Sequence, residues 1–463
     1  MFAGGTNPPG GFQESQATGY PNDLPVIDYD FHAPIGATGR LAPSFGLLRR
    51  QHAFLAAFGD RLAPMPSTLP DDVPAGIEDS ETLRWAMRSD GHSGFVFITW
   101  HQPHLPLPDY AAAQFSLSLN EDTVTFPANP VSIPSGTIAT WPVNLEIAGV
   151  RLTWATASPL TLLGPASSPT LVLAADAGIM PQLCLPEGTS VKGPAFALGD
   201  NVYGVDAAEP ATLTVKSTEG SMNILVLPSE LADQAWVLET PRGRDLVLSG
   251  DPLWAGEDGL LAGRSLGAAS VRRYAGGTGQ FEDVDIPAPE TARVRVALGA
   301  ERIRNAKPVP ASFGSLAGRA AAPGDAAIAE LAEVYRIDVA TAGFLGAEGH
   351  SELEIGWAGD VARLLIDGSL VADRFWDGSP WVIDTHDAGI GPDSELQLQI
   401  LPLPKDAKVG LPLEAQQRRD ALDGDLAALD KAELLHWTTW QENPAIRRRA
   451  ADCALKAGQT ESP

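Results

Sequence analysis

From about residue 82 onward, the chain consists largely of short runs in which apolar and polar residues alternate, and this period of two restricts it to a mainly β fold. The runs at 83–88 and 94–100 flank Asp90-Gly91, and an Asp-Gly pair between two alternating runs is a strong signal for a hairpin. Further strands recur at spacings of about 8–12 residues, which is typical of a β-sandwich. They are predicted at 113–119, 131–133, 137–141, 150–156 and 160–163. We therefore predict a β-sandwich over residues 80–165.

Two more β-rich segments follow the first. A second β-domain is predicted over residues 166–290, from apolar stretches at 170–174, 212–215, 224–227 and 246–248. A third unit is predicted over residues 291–405, with strands at 293–296, 334–339, 352–355, 363–366, 371–376 and 397–401. Residues 411–463 are predicted to form a terminal helix, spanning 413–437, and a weakly ordered tail.

One amphipathic helix is predicted before the first strands. Ser44 can cap it after Pro43, and Gly59 and the Pro64/Pro66 pair can end it. One face of this helix carries Leu47, Leu48, Gln51, Phe54, Leu55 and Phe58 at helical spacing. A strand remnant followed by a helix is typical of the last βα unit of a (β/α)₈ barrel. Taken alone, residues 1–66 offer this helix no sheet to pack on.

The composition limits the classes of partner. The formal net charge is −26 over 463 residues, and such an acidic surface repels phosphate backbones and anionic lipids. The sequence therefore predicts no nucleic-acid partner and no membrane partner, whereas neutral carbohydrate is compatible with it. Cys184 and Cys453 fit no metal-ligand spacing, and the sequence contains no nucleotide-binding or metal-binding motif, so no cofactor and no metal are predicted.

Two motifs near the start of the chain carry a family resemblance. Residues 1–7 read Met-Phe-Ala-Gly-Gly-Thr-Asn, and residues 29–34 read Tyr-Asp-Phe-His-Ala-Pro. Gly-Gly-Thr-Asn alone is most often a turn, but here it precedes the second motif by about 20 residues and an amphipathic helix follows. The pair resembles glycoside hydrolase family 35, the β-galactosidase family, in which Met-x-x-Gly-Gly-Thr-Asn and Tyr-Asp-Tyr-Asp-Ala-Pro recur.

The resemblance implies a (β/α)₈ barrel and retaining hydrolysis of terminal β-galactosides by two carboxyl groups. In the family, these carboxyls lie at the ends of the fourth and seventh barrel strands, both before the Gly-Gly-Thr-Asn element. The expectation is therefore a C-terminal portion of such an enzyme that starts at the last barrel strand, contains neither catalytic carboxylate and is inactive alone. A separate chain that carries the rest of the barrel would be its partner. Family members are commonly secreted or periplasmic, but the sequence leaves the compartment unknown.

The resemblance also implies substrate-binding residues in the first motifs. Phe31 stands where the family has the tyrosine that contacts the galactose ring, and it keeps the apolar face but lacks the hydroxyl. Tyr29 and Asp30 match the family directly; the alternative for them is a hydrogen-bonded pair at a barrel rim. Asn7 ends the Gly-Gly-Thr-Asn element and offers a polar group to the substrate pocket. Glu14 is a further substrate-binding candidate, and the alternative is an exposed loop acid, since a lone carboxyl is not an acid–base pair.

An aromatic-rich run at residues 373–381 is the other informative segment. Trp376 and Trp381 could stack on the apolar faces of sugar rings, and the neighbouring Asp and Arg side chains could bind sugar hydroxyls. The run also resembles the jelly-roll, galactose-binding-like domains that end family 35 enzymes, where such aromatics are often structural. Both alternatives, packing and sugar binding, stay open at this point.

Two other functions compete with the glycosidase-like one. The first is a non-catalytic carbohydrate-binding β-protein, in which the Leu47/Phe54/Phe58 face of the helix would have to be covered within the chain itself. A split enzyme would instead need a partner to cover that face. The second is a serine hydrolase, because residues 263–267 read Gly-Arg-Ser-Leu-Gly, but a nucleophile elbow needs a strand that runs into a helix, and the sequence after Ser265 does not predict one.

Overall fold

In a computed structural model, the structure describes residues 33–102, 105–120, 123–241, 243–287, 295–310, 315–316, 319–320, 325–340, 350–407 and 411–443. Within these ranges the protein is mainly β, with strands β1–β32 and helices α1–α4. The mainly β prediction is therefore confirmed. In the part of the chain that is described, no helix combines the length and the apolar character needed to cross a membrane.

The described residues divide into two compact units. Residues 46–262, 270–287 and 441–443 form one, which we call the sandwich unit, and residues 33–45, 263–269 and the described part of 288–440 form the other, the C-terminal unit. The division is coarser than the five segments predicted from the sequence, and the finer boundaries stay predictions.

Most elements between residues 43 and 283 are strands of two to eleven residues. In chain order they are α1 (Pro43–Leu62), β1 (Ser67–Thr68), β2 (Trp85–Ser89), β3 (Gly94–Trp100), β4 (Tyr110–Ser118), β5 (Thr123–Ile133), β6 (Thr137–Ile147), β7 (Val150–Ala155), β8 (Ala157–Leu163), β9 (Thr170–Ala175), β10 (Gln182–Cys184), β11 (Ser190–Lys192), β12 (Ala195–Gly199), β13 (Val202–Val205), β14 (Ala211–Lys216), β15 (Ser221–Leu227), α2 (Ser229–Asp233), β16 (Ala235–Thr240), β17 (Gly243–Leu248), β18 (Leu253–Ala255), β19 (Leu261–Ser265), β20 (Arg272–Ala275) and β21 (Gln280–Asp283).

Two packed sheets form the sandwich. One has the strand order β1-β2-β3-β6-β7-β10-β13-β12, and the other has the order β11-β14-β15-β9-β8. Their facing side chains share one core, in which Leu152, Leu171, Leu183 and Leu213 are fully or almost fully buried. The hairpin predicted around Asp90-Gly91 is confirmed, since β2 and β3 pair antiparallel. A β-sandwich is therefore present, and its two sheets take strands from both sides of the boundary predicted at residue 165.

Strand β9 is buried along its whole length, because its sheet is covered on both faces. Leu171 and Leu173 point into the sandwich core. Val172 and Ala174 point to the opposite face, into a second core with strands of the antiparallel sheet β16-β17-β20-β21. Burial on both faces explains why β9 is a continuous apolar run rather than an alternating one.

Helix α1 packs its aromatic face on the sandwich. The ring centroids of Phe54 and Phe58 lie 5.4 and 6.0 Å from that of Phe95 on β3. The Arg49 guanidinium lies 3.7 Å from the centre of the Trp236 ring and donates to the carbonyl of Ala235 at 2.8 Å. The predicted helix is confirmed, although it continues past Gly59 to Leu62. The sandwich of the same chain supplies the apolar surface on which its aromatic face packs.

The C-terminal unit is also built from paired sheets. Its elements beyond residue 294 are β22 (Arg295–Ala297), β23 (Gly299–Arg304), β24 (Ser315–Leu316), β25 (Arg319–Ala320), α3 (Asp325–Leu331), β26 (Glu333–Asp338), β27 (His350–Ala358), β28 (Val361–Ile366), β29 (Ser369–Phe375), β30 (Trp381–Asp384), β31 (Leu396–Ile400), α4 (Leu413–Asp420) and β32 (Ala428–Gln441). One sheet has the order β23-β26-β31-β28-β29, while β22, β32, β27 and β30 pair in that order in the other. Side chains of both sheets share a core that includes Leu353, Ile355, Leu364 and Leu398.

The prediction of one polar helix over residues 413–437 is wrong beyond Asp420. Helix α4 ends there, and β32 then pairs with both β22 and β27. Burial of Ala432 and Leu434 in the core of the unit favours the strand, although the local pattern alone suggested a helix. Tertiary pairing has therefore decided the conformation of this segment.

A barrel is not established by the structure. The predicted last barrel strand, in residues 1–7, lies outside the described residues. Helix α1 is present, but its buried face contacts the sandwich.

Candidate functional site

The substrate-binding residues implied by the family resemblance cannot be placed. Asn7, Glu14, Tyr29, Asp30 and Phe31 all lie outside the described residues. The segment immediately after the second motif is described and is held against β30. The Thr38 hydroxyl donates to the Val382 carbonyl at 2.7 Å, and the Asp384 N–H donates to the Thr38 carbonyl at 3.0 Å.

The aromatic-rich run at 373–381 forms a turn that is fixed by Arg374. This guanidinium donates to the carbonyl of Pro380 at 3.0 Å, and to the Asp377 carboxylate and the Ser379 hydroxyl, each at 2.8 Å. Asp377 in turn accepts from the backbone N–H of Ser379 at 2.9 Å. The Asp and Arg side chains that were considered for sugar hydroxyls therefore bind one another.

Trp376 and Trp381 belong to the core of the C-terminal unit. Their exposed fractions are only 5% and 1%, and the centroid of the Trp381 ring lies 6.4 Å from that of Trp357. Burial leaves neither ring with an open face for a sugar. The packing alternative therefore describes these two side chains better than the stacking alternative.

Ser265 does not occupy a nucleophile elbow. It is the last residue of strand β19, only 1% of it is exposed, and its hydroxyl donates to the Gly267 carbonyl at 2.9 Å. The next element in the chain is strand β20 rather than a helix. The strand-to-helix geometry that would expose a serine nucleophile is missing at this position.

A cluster of ionisable groups lies on β27. The two ring nitrogens of His350 contact different carboxylates, Glu352 at 3.0 Å and Asp384 at 3.1 Å. The Trp437 indole N–H donates to the other oxygen of Glu352 at 2.7 Å. Because the imidazole nitrogens point to separate carboxylates, these side chains do not converge on one point. Within the described ranges, no group of three or more His, Cys, Asp or Glu side chains could hold a metal ion.

An open groove in the sandwich unit is a candidate binding site. It has a volume of about 580 Å³ and is lined by residues of four chain segments. The lining residues are Ala175–Pro181, Phe196, Val205–Ala208 and Pro228–Glu230. Four separate chain segments thus converge there.

Phe196 presents an aromatic ring to this groove. It lies on β12, the edge strand of its sheet, directly opposite Gly204 on β13. A Cβ atom on Gly204 would come within 2.5 Å of the Phe196 ring, so the ring lies across the bare glycine backbone. The Phe196 side chain is nevertheless 45% exposed.

Asp176 is one of the lining residues, and it is only 6% exposed. It accepts from the Trp141 indole N–H at 2.8 Å and from the Ser158 hydroxyl at 2.9 Å. Burial raises the pKa of Asp176 to about 6, although these two donors and the nearby Arg50 charge act in the opposite direction. The hydrogen bonds of this enclosed carboxyl group link strands β6 and β8, so Asp176 stabilises the sandwich. It does not form an acid–base pair with a second carboxyl group of the described chain.

The groove is not predictable from the sequence, because its parts are far apart in the chain. The nearest signal was Asp176 itself, a carboxylate that directly follows the continuous apolar run of β9. An ionisable residue at the end of a fully buried strand often marks a polar group inside the fold.

Comparison with known proteins adds little to this geometry. No protein-family model matches the chain, and no curated protein matches it. Among solved structures, it is similar to the glycoside hydrolase family 31 α-xylosidase of Xanthomonas citri at 10% sequence identity, with a TM-score of 0.11. That similarity covers 82% of this chain and 38% of the xylosidase, and at this score it carries no argument about fold or function.

Proposed function

We propose that this chain is the accessory and C-terminal part of a β-galactosidase-like glycoside hydrolase. The observation that carries the proposal is the order of its sequence features: Met-x-x-Gly-Gly-Thr-Asn, then a Tyr-Asp-aromatic stretch with Ala-Pro, then an amphipathic helix and a long β-rich remainder. The two β-rich units of the fold agree with such a remainder.

The proposed chemistry assigns hydrolysis to carboxyl groups outside this chain. Retaining hydrolysis needs two carboxyls about 5–5.5 Å apart. In the family, both lie on barrel strands that precede the Gly-Gly-Thr-Asn element. We therefore propose that the chain takes part in turnover only beside a partner that carries those strands. Asn7, Tyr29, Asp30 and Phe31 would then contribute to binding a terminal β-galactoside.

A mixing experiment tests this proposal. Hydrolysis of an aryl β-galactoside is measured for the chain alone, for a separately expressed barrel half of a family 35 enzyme, and for the mixture. We expect turnover only in the mixture, and its loss when Asn7→Ala or Tyr29→Ala replaces the wild-type chain. Turnover by the chain alone would contradict the assignment of both carboxyls to a partner. No turnover in any of the three samples would contradict the split-enzyme proposal.

A second candidate function is a carbohydrate-binding β-protein that acts without a barrel, and one observation favours it. Phe54 and Phe58 of helix α1 are 4% and 0% exposed and belong to the core of the sandwich unit. The chain thus covers the helix face that a split enzyme would leave for its partner. Leu47 on the same helix is 56% exposed, so the cover is confined to the aromatic part of that face.

A further inference from the structure

The groove beside Asp176 combines features that suit an uncharged, hydroxyl-rich ligand. Its lining residues within the described chain include no lysine, arginine or histidine, whereas Asp206 and Glu230 are both exposed there. Carboxylates accept hydrogen bonds from sugar hydroxyls and repel anions. The net charge of −26 adds to that repulsion, so nucleotides, phosphates and acidic sugars are disfavoured.

The apolar part of the groove is a fixed platform. The Phe196 ring is held across Gly204 on one side, yet close to half of the side chain remains exposed. Met180, which is 44% exposed, lies in the same lining. An aromatic ring of fixed orientation loses little conformational entropy when a ligand packs on it, and the C–H face of a sugar ring is such a ligand.

The dimensions of the groove also fit a short oligosaccharide. Small-molecule sites in proteins usually have volumes of about 300–1,000 Å³ and combine an apolar wall with a few polar groups. At about 580 Å³, this groove lies inside that range.

We propose that this groove is a binding site for a neutral oligosaccharide, with Phe196 as the stacking platform and Asp206 and Glu230 as acceptors for sugar hydroxyls. The inference rests on the proposed carbohydrate-related function and adds a location to it. The aromatic residues at 373–381 have no part in this site.

Isothermal titration calorimetry with neutral tetrasaccharides derived from β-galactan, β-glucan and β-xylan tests the inference on the full chain. We expect at least one of the three to bind, and Phe196→Ala to weaken that binding by about tenfold or more. Trp254→Ala is the matched control, because Trp254 is another exposed aromatic of the sandwich unit, at 49%, and lies outside the groove lining. Its affinity should stay within about twofold of the wild type.

Two further variants keep the test decisive if Phe196→Ala unfolds the edge strand. Ala208→Trp places a bulky side chain in the groove at an exposed position and should abolish binding. The double variant Asp206→Asn/Glu230→Gln should still bind, because amide oxygens also accept hydrogen bonds from hydroxyls. Its affinity should not change with added NaCl, because the two charges that salt would screen are gone. Binding that Ala208→Trp leaves unchanged would overturn the inference, and so would the absence of binding for all three tetrasaccharides.

The outcomes separate this inference from the proposed function. If Ala208→Trp loses tetrasaccharide binding but still restores galactoside turnover in the mixing experiment, both the groove and the split enzyme are supported. Turnover on mixing without any groove-dependent binding would overturn the groove alone. Groove-dependent binding without turnover on mixing would contradict the split enzyme and leave the carbohydrate-binding protein in its place.

Discussion

The carboxyl group of Asp176 couples the stability of the sandwich unit to pH. Its pKa is raised by burial from 3.8 to about 6, so the folded protein binds the proton more strongly than the unfolded chain does. Stability from this group is therefore greatest below about pH 4, falls as the pH rises from about 4 to about 6, and stays low above that. We expect the free energy of unfolding of the wild type, relative to Asp176→Asn, to fall by roughly 2–3 kcal/mol between pH 4 and pH 7.5.

Urea unfolding of both proteins at several pH values measures this difference. All other ionisable groups are common to the two proteins, so their contribution to the pH dependence of stability cancels in the comparison. Ser158→Ala provides a second check. Removing a donor that stabilises the carboxylate should raise the pKa of Asp176 further and move the fall in stability to higher pH. A difference between the wild type and Asp176→Asn that does not vary with pH would contradict the proton linkage.

At the level of elements, helix α1 tests whether the sandwich unit is complete within itself. Phe58 is fully buried beside Phe54 and Phe95. We expect Phe58→Ala to lower the free energy of unfolding by about 3–5 kcal/mol, because it leaves a cavity in the core. The measurement is urea unfolding followed by circular dichroism.

Leu47→Ala is the matched control for that variant. It truncates an apolar side chain on the same helix, but this residue is 56% exposed. We expect a change within about 0.5 kcal/mol. If Phe58→Ala lowered the free energy of unfolding as little as Leu47→Ala, helix α1 would not contribute to the stability of the sandwich core. The observation that favours the independent carbohydrate-binding protein would then be lost.

The elements also indicate how far the sequence could be used to predict this fold. Where one face of a strand is buried and the other faces solvent, the alternation of apolar and polar residues was sufficient to predict the strand, as in the β2–β3 hairpin. It failed at β32, whose pairing with β22 and β27 depends on residues far away in the chain. The groove was beyond prediction for the same reason: Phe196, Asp206 and Glu230 are separated in sequence and become neighbours only through the fold.

Burial also decided between alternatives that the sequence had left open. An aromatic run with Asp and Arg is compatible with both a sugar site and a packed turn. Only the structure shows Trp376 and Trp381 inside a core and Arg374 bonded to its own loop. Residue type predicted an informative segment, but not which groups would remain accessible.

For the whole molecule, the main feature is that the chain passes between its two units several times. The sandwich unit contains residues 46–262 and 270–287, and residues 441–443 return to it after the C-terminal unit. The returning segment is anchored by Glu442, whose carboxylate accepts from Arg273 at 2.7 and 2.9 Å and from the Leu261 N–H at 3.0 Å. Glu442 is only 5% exposed, so this ion pair is largely withdrawn from water.

Removing this carboxylate should destabilise the sandwich unit although Glu442 lies almost at the end of the described chain. Glu442→Ala leaves the Arg273 guanidinium without its closest counter-charge and Leu261 without an acceptor, and breaking a buried pair typically costs about 3–5 kcal/mol.

The control is Glu239→Ala, which removes a contact to Arg244 of similar length, 2.6 Å, from a glutamate side chain that is 68% exposed. Solvent screens that pair, so we expect a loss of about 1 kcal/mol or less in urea unfolding. Equal losses for the two variants would contradict the view that residues 441–443 close the sandwich unit. A large loss confined to Glu442→Ala would mean that the unit depends on a segment some 150 residues downstream of its other parts, and that no single cut of the chain could release it intact.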